Sequence, residues 1–121
     1  MIMKNERRKY PRISLCGQVN LLIAGEVRSA TLLNLSPSGV QIECQRALVE
    51  QLAFYKSDAG LYPNFELEFL LPDGTQVSCL CTISVCRRLS QDIYQLGLSF
   101  VSLPDGAEER VDEYIEHAAA A

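Results

Sequence analysis

Apolar and polar residues alternate with a period of two through most of this chain, which is the pattern of strands wet on one face. Leu15, Val19, Leu21 and Ile23 alternate within "SLCGQVNLLIAG", and the Ala-Gly-Glu that follows can turn the chain into "VRSATLLNL" as a first hairpin. Val40, Ile42 and Cys44 alternate with Gln41 and Glu43 in "GVQIECQ". The alternation returns in "NFELEFLL", where Phe65, Leu67, Phe69 and Leu71 face one way, and "PDG" supplies a tight turn. The partner strand is "TQVSCLCTISVCRR", with Val77, Cys79, Cys81, Ile83 and Val85 expected inward, and "IYQLGLSF" aligns Leu96, Leu98 and Phe100.

Two stretches break the period. Residues 45–63 are the least regular, and Leu48, Leu52 and Phe54 suggest at most a short helical turn before "GLYPN", so a long connection is expected there. Near the end Asp105 reads as an N-cap with Glu108 at the third helical position, and Val111, Tyr114, Ile115 and Ala118 recur at helical spacing. About six strands without intervening helices imply an antiparallel barrel or sandwich, and the small six-stranded antiparallel β-barrel with one C-terminal helix is the reading adopted. The expected divisions are an arm over 1–12, a barrel over 13–103 and the helix over 104–121.

Length and composition keep this picture to one domain: 121 residues, 48% hydrophobic and 21% charged, suit a single core. No run approaches the roughly 18 apolar residues of a membrane-spanning helix, and "MIMKNERRKY" has no apolar run to serve as a signal peptide, so a cytoplasmic protein is expected. The odd set of Cys16, Cys44, Cys79, Cys81 and Cys86 then reads as reduced thiols used as small apolar side chains.

Charge adds an asymmetry. Residues 1–12 hold five of the eleven Lys and Arg against one acid, leaving six basic and fourteen acidic residues downstream, so the arm carries about +4 and the body about −8. The acidic residues of the terminal helix, Glu108, Glu109, Asp112, Glu113 and Glu116, suit its N-terminus and read as a solvated face.

Candidate chemistry is thin for catalysis. The one histidine, His117, sits in that terminal helix away from any nucleophile signal. Cys79-x-Cys81 lacks the spacing of a zinc knuckle and has no second pair, so no catalytic and no metal-ligating residues are assigned. Binding chemistry is richer. Arg7, Arg8 and Arg12 carry planar guanidinium groups that can grip phosphate or the O6/N7 edge of guanine with two prongs, and Tyr10 and Pro11 stiffen the segment that carries them. In "NLSPSG", Asn34 and Ser36 offer neutral donors and acceptors suited to base edges or sugars. Pro37 fixes one dihedral there, and Gly39 allows a positive one and a close backbone approach.

Together, Arg8-x-x-x-Arg12 and Asn34-x-Ser36-x-x-Gly39 resemble the two-part signature of the PilZ domain family, bacterial receptors for cyclic di-GMP, and "YQLGLSF" with Gly97 looks like that family's closing strand. The resemblance implies a six-stranded barrel with a C-terminal helix and no enzymatic activity. It implies that Arg8 and Arg12 hold guanine bases and phosphates, that Asn34 and Ser36 read a guanine edge, and that Gly39 lets the loop close in. Arg7, directly before the first arginine, goes in the family with an intercalated cyclic di-GMP dimer, so two ligands per chain are expected and no other cofactor. Lys9, Arg87, Arg88 and Gly97 are additional candidates. The implied partners are cyclic di-GMP and an unidentified protein effector, to which a ligand-induced change in the arm relays the signal.

Two alternatives stand beside this reading. One is a barrel of the same fold that serves as a protein-interaction adaptor without ligand. The other is a polybasic nucleic-acid or anionic-surface module, which the body's charge of about −8 disfavours because a long polyanion would lie along an acidic surface.

Overall fold

A computed structural model describes residues 12–104 and 106–120. Arg7, Arg8 and Lys9, and the expected cap Asp105, lie outside the described residues. Six strands and two helices follow in the order β1 (Ile13–Ile23), β2 (Glu26–Ser36), β3 (Gly39–Gln45), α1 (Arg46–Phe54), β4 (Phe65–Leu70), β5 (Gln76–Arg88), β6 (Ile93–Ser102) and α2 (Ala107–Ala120). The strands close into an antiparallel barrel in the order β1-β2-β3-β6-β5-β4.

The period-two pattern becomes the barrel wall because every second side chain points inward. Val19, Leu21 and Ile23 of β1, Leu67 and Phe69 of β4, and Leu96 and Leu98 of β6 are buried in one core. Cys44, Cys79 and Cys81 lie among them as free thiols, whereas Cys16 and Cys86 are exposed. The β1–β2 turn consists of Ala24 and Gly25 at φ 51° and 84°, the double left-handed conformation of a two-residue hairpin. The "PDG" turn is tightened by the Thr75 N–H donating to Asp73 Oδ1 at 2.9 Å, and that bond holds the Asp73 carboxyl below its usual pKa.

Two elements depart from the sequence reading. Residues 46–54 form a nine-residue helix instead of a single turn. The expectation failed because the usual start signal is missing: Gln45 makes no side-chain cap bond and the first turn has no acid. An absent cap costs about 1 kcal/mol, but Leu48, Val49 and Leu52 are buried in the core, and each contributes roughly 1.5–3 kcal/mol. Burial therefore decides the conformation. The second departure is Val85, expected inward and found 59% exposed. A register shift between Ile83 and Val85 inserts Ser84 as an extra residue and turns the following side chain outward.

At the other end of the chain, α2 packs on β1 and β2 through the buried Val111 and Ile115. At its start the Ala107 N–H donates to the Pro104 carbonyl at 3.0 Å and the Arg110 N–H to the Gly106 carbonyl at 3.2 Å. No helix among the described residues is long and apolar enough to cross a membrane.

Candidate functional site

Strand register gathers most of the motif residues. Ser14 pairs with Asn34, Asn34 with Gln41, Gln41 with Gly97 and Gly97 with Val85, so one continuous rung crosses five strands. The neighbouring rung of Ile13, Leu35, Val40, Leu98 and Ile83 turns its side chains to the core. Asn34 and Ser36 flank the buried Leu35 and therefore share the outer face of β2. Pairing of Ile13 with Leu35 brings Arg12 alongside Ser36, at the point where the chain enters the barrel.

These positions surround a small concavity of about 110 Å³ lined by Arg12, Asn34, Ser36, Ser38, Gly39, Val40, Gln41, Ser84, Val85, Gly97, Leu98 and Ser99. Its floor is open because Gly97, in the middle of the outward rung, has no side chain between Gln41 and Val85. Its chemistry differs from that of the rest of the body: Arg12 is the one charged group among these lining residues, and the others offer hydroxyls, amides, backbone and the apolar side chain of Val85. A larger groove of about 440 Å³ lies elsewhere, between β2, β3 and α1, and contains none of the motif residues. Size therefore does not single out the site; the convergence of the motif does.

The turn between β2 and β3 is held by its own serines. The Ser38 N–H donates to Ser36 Oγ at 3.3 Å, the two hydroxyls lie 3.1 Å apart, and Ser36 Oγ donates to the Gly39 carbonyl at 3.4 Å. The Phe100 N–H donates to the Ser38 carbonyl at 2.9 Å and ties the turn to β6. Gly39 is not among the residues with positive φ, contrary to the turn expected from the sequence. Its requirement is steric: a Cβ there would penetrate the Leu98 carbonyl oxygen and come within 3.0 Å of Leu98 C and 3.1 Å of Ser99 Cα. The close approach that needs a glycine is thus made by β6.

Asn34 Nδ2 donates to Gln41 Oε1 at 2.6 Å, Gln95 Nε2 donates to the same oxygen at 3.4 Å, and Arg87 Nη2 donates to Gln95 Oε1 at 2.8 Å. Arg87 and Arg88 do not line the concavity. Arg88 instead donates to the carbonyls of Ser90 and Gln91 at 3.0 and 3.2 Å and braces the β5–β6 turn. Gln41, Ser38, Ser84 and Ser99 were not singled out from the sequence. The available signal was Gly97 within the expected last strand, since the register partners of a strand glycine border any gap it leaves.

Catalytic groups do not gather here. His117 Nδ1 lies 3.1 Å from the Glu113 carbonyl of its own helix. Burial pushes the Cys44 thiol up to about 12, reinforced by Cys86 and Glu43, and burial alone raises Cys79 to about 12. Cys81 is raised further by burial and by Cys79. These thiols are held protonated, the opposite of an activated nucleophile. Among the described residues no cluster of three or more His, Cys, Asp or Glu side chains could hold a metal ion.

A family model described as the PilZ domain matches residues 6–117. Among solved structures, the Bacillus subtilis inhibitor of motility MotI/DgrA superposes with a TM-score of 0.70 at 16% identity, over 95% of this chain and 52% of that one. The PilZ domain of Escherichia coli YcgR, solved with c-di-GMP, gives a TM-score of 0.66 at 14% identity over 95% of this chain and 93% of that domain. MrkH, described as a c-di-GMP-dependent transcription regulatory factor, gives 0.67 at 16% identity over 94% and 52%. The chain thus spans about half the length of MotI and MrkH. No curated protein sequence matches it.

Proposed function

The chain belongs to the PilZ domain family, and from that membership we propose that it is a cyclic di-GMP receptor whose N-terminal arm closes over ligand seated on the outer wall of the barrel and presents an altered surface to a protein partner. The observation that carries this reading is the convergence of Arg12, Asn34, Ser36, Gly39 and Gly97 on one concavity whose lining residues include no carboxylate, in a body of about −8 charge. An anionic dinucleotide meets a local field there that the acidic body denies it elsewhere.

The size of the concavity supports a clamp over a closed pocket. About 110 Å³ is well below the roughly 300–1,000 Å³ that encloses a drug-sized ligand, so a dinucleotide resting there needs a second wall. Arg12 continues directly into the segment with Arg8, Arg7 and Lys9, and Arg8 and Arg12 supply that wall in this reading. Arg7 adds the cation that a second, intercalated ligand would use. Asn34 and Ser36 read the base edge, and the glycine gap at 97 admits the flat ring.

Isothermal titration of the whole chain with cyclic di-GMP tests this. The expected result is saturable binding with two ligands per chain. Each lost charge-assisted contact is worth on the order of 1.5–3 kcal/mol, so Arg12→Ala and Arg8→Ala should each weaken binding by one to two decades. Absence of binding by the wild-type chain, or salt-sensitive binding to long RNA or anionic vesicles in its place, overturns the reading. Unchanged affinity in both arginine variants removes the arm from the site.

A further inference from the structure

The amide chain beside the concavity has a direction, and one end sets it. Arg87 lies on β5 outside the site, and its guanidinium has donors and no acceptor. The Gln95 atom that faces it at 2.8 Å is therefore the oxygen, which turns Gln95 Nε2 toward Gln41. Gln41 meets that donor with Oε1 at 3.4 Å and uses the same oxygen to accept from Asn34 Nδ2 at 2.6 Å. Asn34 has then committed an amino N–H to Gln41, and its Oδ1 takes no part in that bond, on a side chain that lines the concavity. Asn34–Gln41 and Arg87–Gln95 are direct register pairs, and the link between them is diagonal because Gly97, the register partner of Gln41, contributes no side chain, so Gln41 reaches past it to Gln95.

We propose that Arg87 acts at a distance as the determinant of base preference: a donor-only cation orients three successive amides so that Asn34 presents a carbonyl oxygen to the ligand. This rests on the reading of the concavity as a base-binding site. An acceptor at that position suits guanine, whose N1–H and N2–H donors lie side by side and can converge on one oxygen. It suits adenine less, because the acceptor N1 of adenine stands beside its single donor group. Arg87 is a positioning residue in this scheme, and Gln95 is the link that transmits its effect.

The test is the ratio of affinities for the bis-guanine and bis-adenine cyclic dinucleotides, which carry the same charge, so that the ratio cancels the general field. Arg87→Lys, also donor-only, is expected to keep the wild-type ratio. Arg87→Glu is acceptor-only and reverses every amide, turning Asn34 Nδ2 toward the ligand; the ratio should fall at least about tenfold, the size of one misdirected base contact. In a Gln95→Leu background the Arg87→Glu substitution should leave the ratio unchanged, because the link is gone. An equal fall with and without Gln95 means that Arg87 acts directly on the ligand, and no fall in either background means that the relay does not orient Asn34; both overturn the proposal. The side-chain amide resonance of Asn34 in the ligand-free protein provides a separate reading. Arg87→Glu should move it only when Gln95 is present, and an unmoved resonance refutes the relay. A wild-type chain that binds neither dinucleotide sinks the binding reading, while this resonance still judges the relay.

Discussion

Replacing Gly39 with alanine adds one methyl group at the tightest point of the site. The added Cβ would run into the Leu98 carbonyl oxygen, with Leu98 C at 3.0 Å and Ser99 Cα at 3.1 Å behind it. All three are backbone atoms of β6, so no side-chain rotation relieves the clash, and β3 must move away from β6 along Gly39–Ser99 and Val40–Leu98. Overpacking of this kind costs about 1–3 kcal/mol, and the rigidity of the obstacle puts this case near 3. For a domain of this length each kcal/mol is worth about 4 °C, so the melting temperature should drop by about 12 °C. Two other glycines calibrate the claim. Gly97→Ala would bring Cβ to 3.3 Å from Val85 Cβ, a side chain at a register shift, and should cost less than half as much. At Gly17 nothing lies within 4 Å, and Gly17→Ala should stay within about 2 °C of wild type. Differential scanning calorimetry of the three variants gives the order directly. A Gly39→Ala protein that melts with wild type would refute the steric account and return this glycine to a role in ligand approach.

Other outcomes follow from features away from the site. Ala24 holds φ 51° in the β1–β2 turn, where asparagine is at home, so Ala24→Asn should raise stability by about 1 kcal/mol in a thermal or urea melt. Cys44 and Cys79, pushed up to about 12 by burial, stay protonated in the folded chain while the unfolded thiols ionise near 9. The stability they confer is whole below pH 9 and declines by about 1.4 kcal/mol per pH unit per thiol between 9 and 12, which urea melts at pH 8 and 10 should register as a loss at the higher pH. The same burial predicts that a thiol reagent at neutral pH labels Cys16 and Cys86 in the native chain and all five cysteines only after denaturation.

Much of the barrel was legible because alternation is a local property: Phe65, Leu67, Phe69 and Leu71 announce their face without reference to any other strand, and all four are buried. Features that depend on a neighbouring strand were not legible. Val85 continues the pattern perfectly in sequence, and only a register shift against β6 turns it outward. The helix α1 lacked its start signal and owes its existence to a core that the sequence does not display. The site shows the same division. Asn34, Ser36 and Gly39 were visible as a spaced motif, but Gln41 reads like any solvated residue of a half-wet strand until the register sets it between Asn34 and Gly97. For Gly39 the positive dihedral allowed from the sequence is not used, and the close contact that requires a glycine is with Leu98 of the neighbouring strand.

The start of β1 has a mechanical consequence. Ile13 and Ser14 pair with Leu35 and Asn34, the ladder is then interrupted before Gly17, and seven further register pairs with β2 run on to Ile23. The interruption works as a tear line: tension on the chain ahead of Arg12 peels two pairs from β2 and then meets a break, so the peel stops there and the remainder of the ladder is spared. Those two pairs touch Asn34 and the residue next to Ser36, and the tab that detaches carries Arg12, which lines the concavity. In the proposed reading, ligand in the concavity and attachment of the tab are two readings of one latch. Amide exchange at Ile13 and Ser14 should be faster than at Val19 and Leu21, and it should slow when the latch is shut.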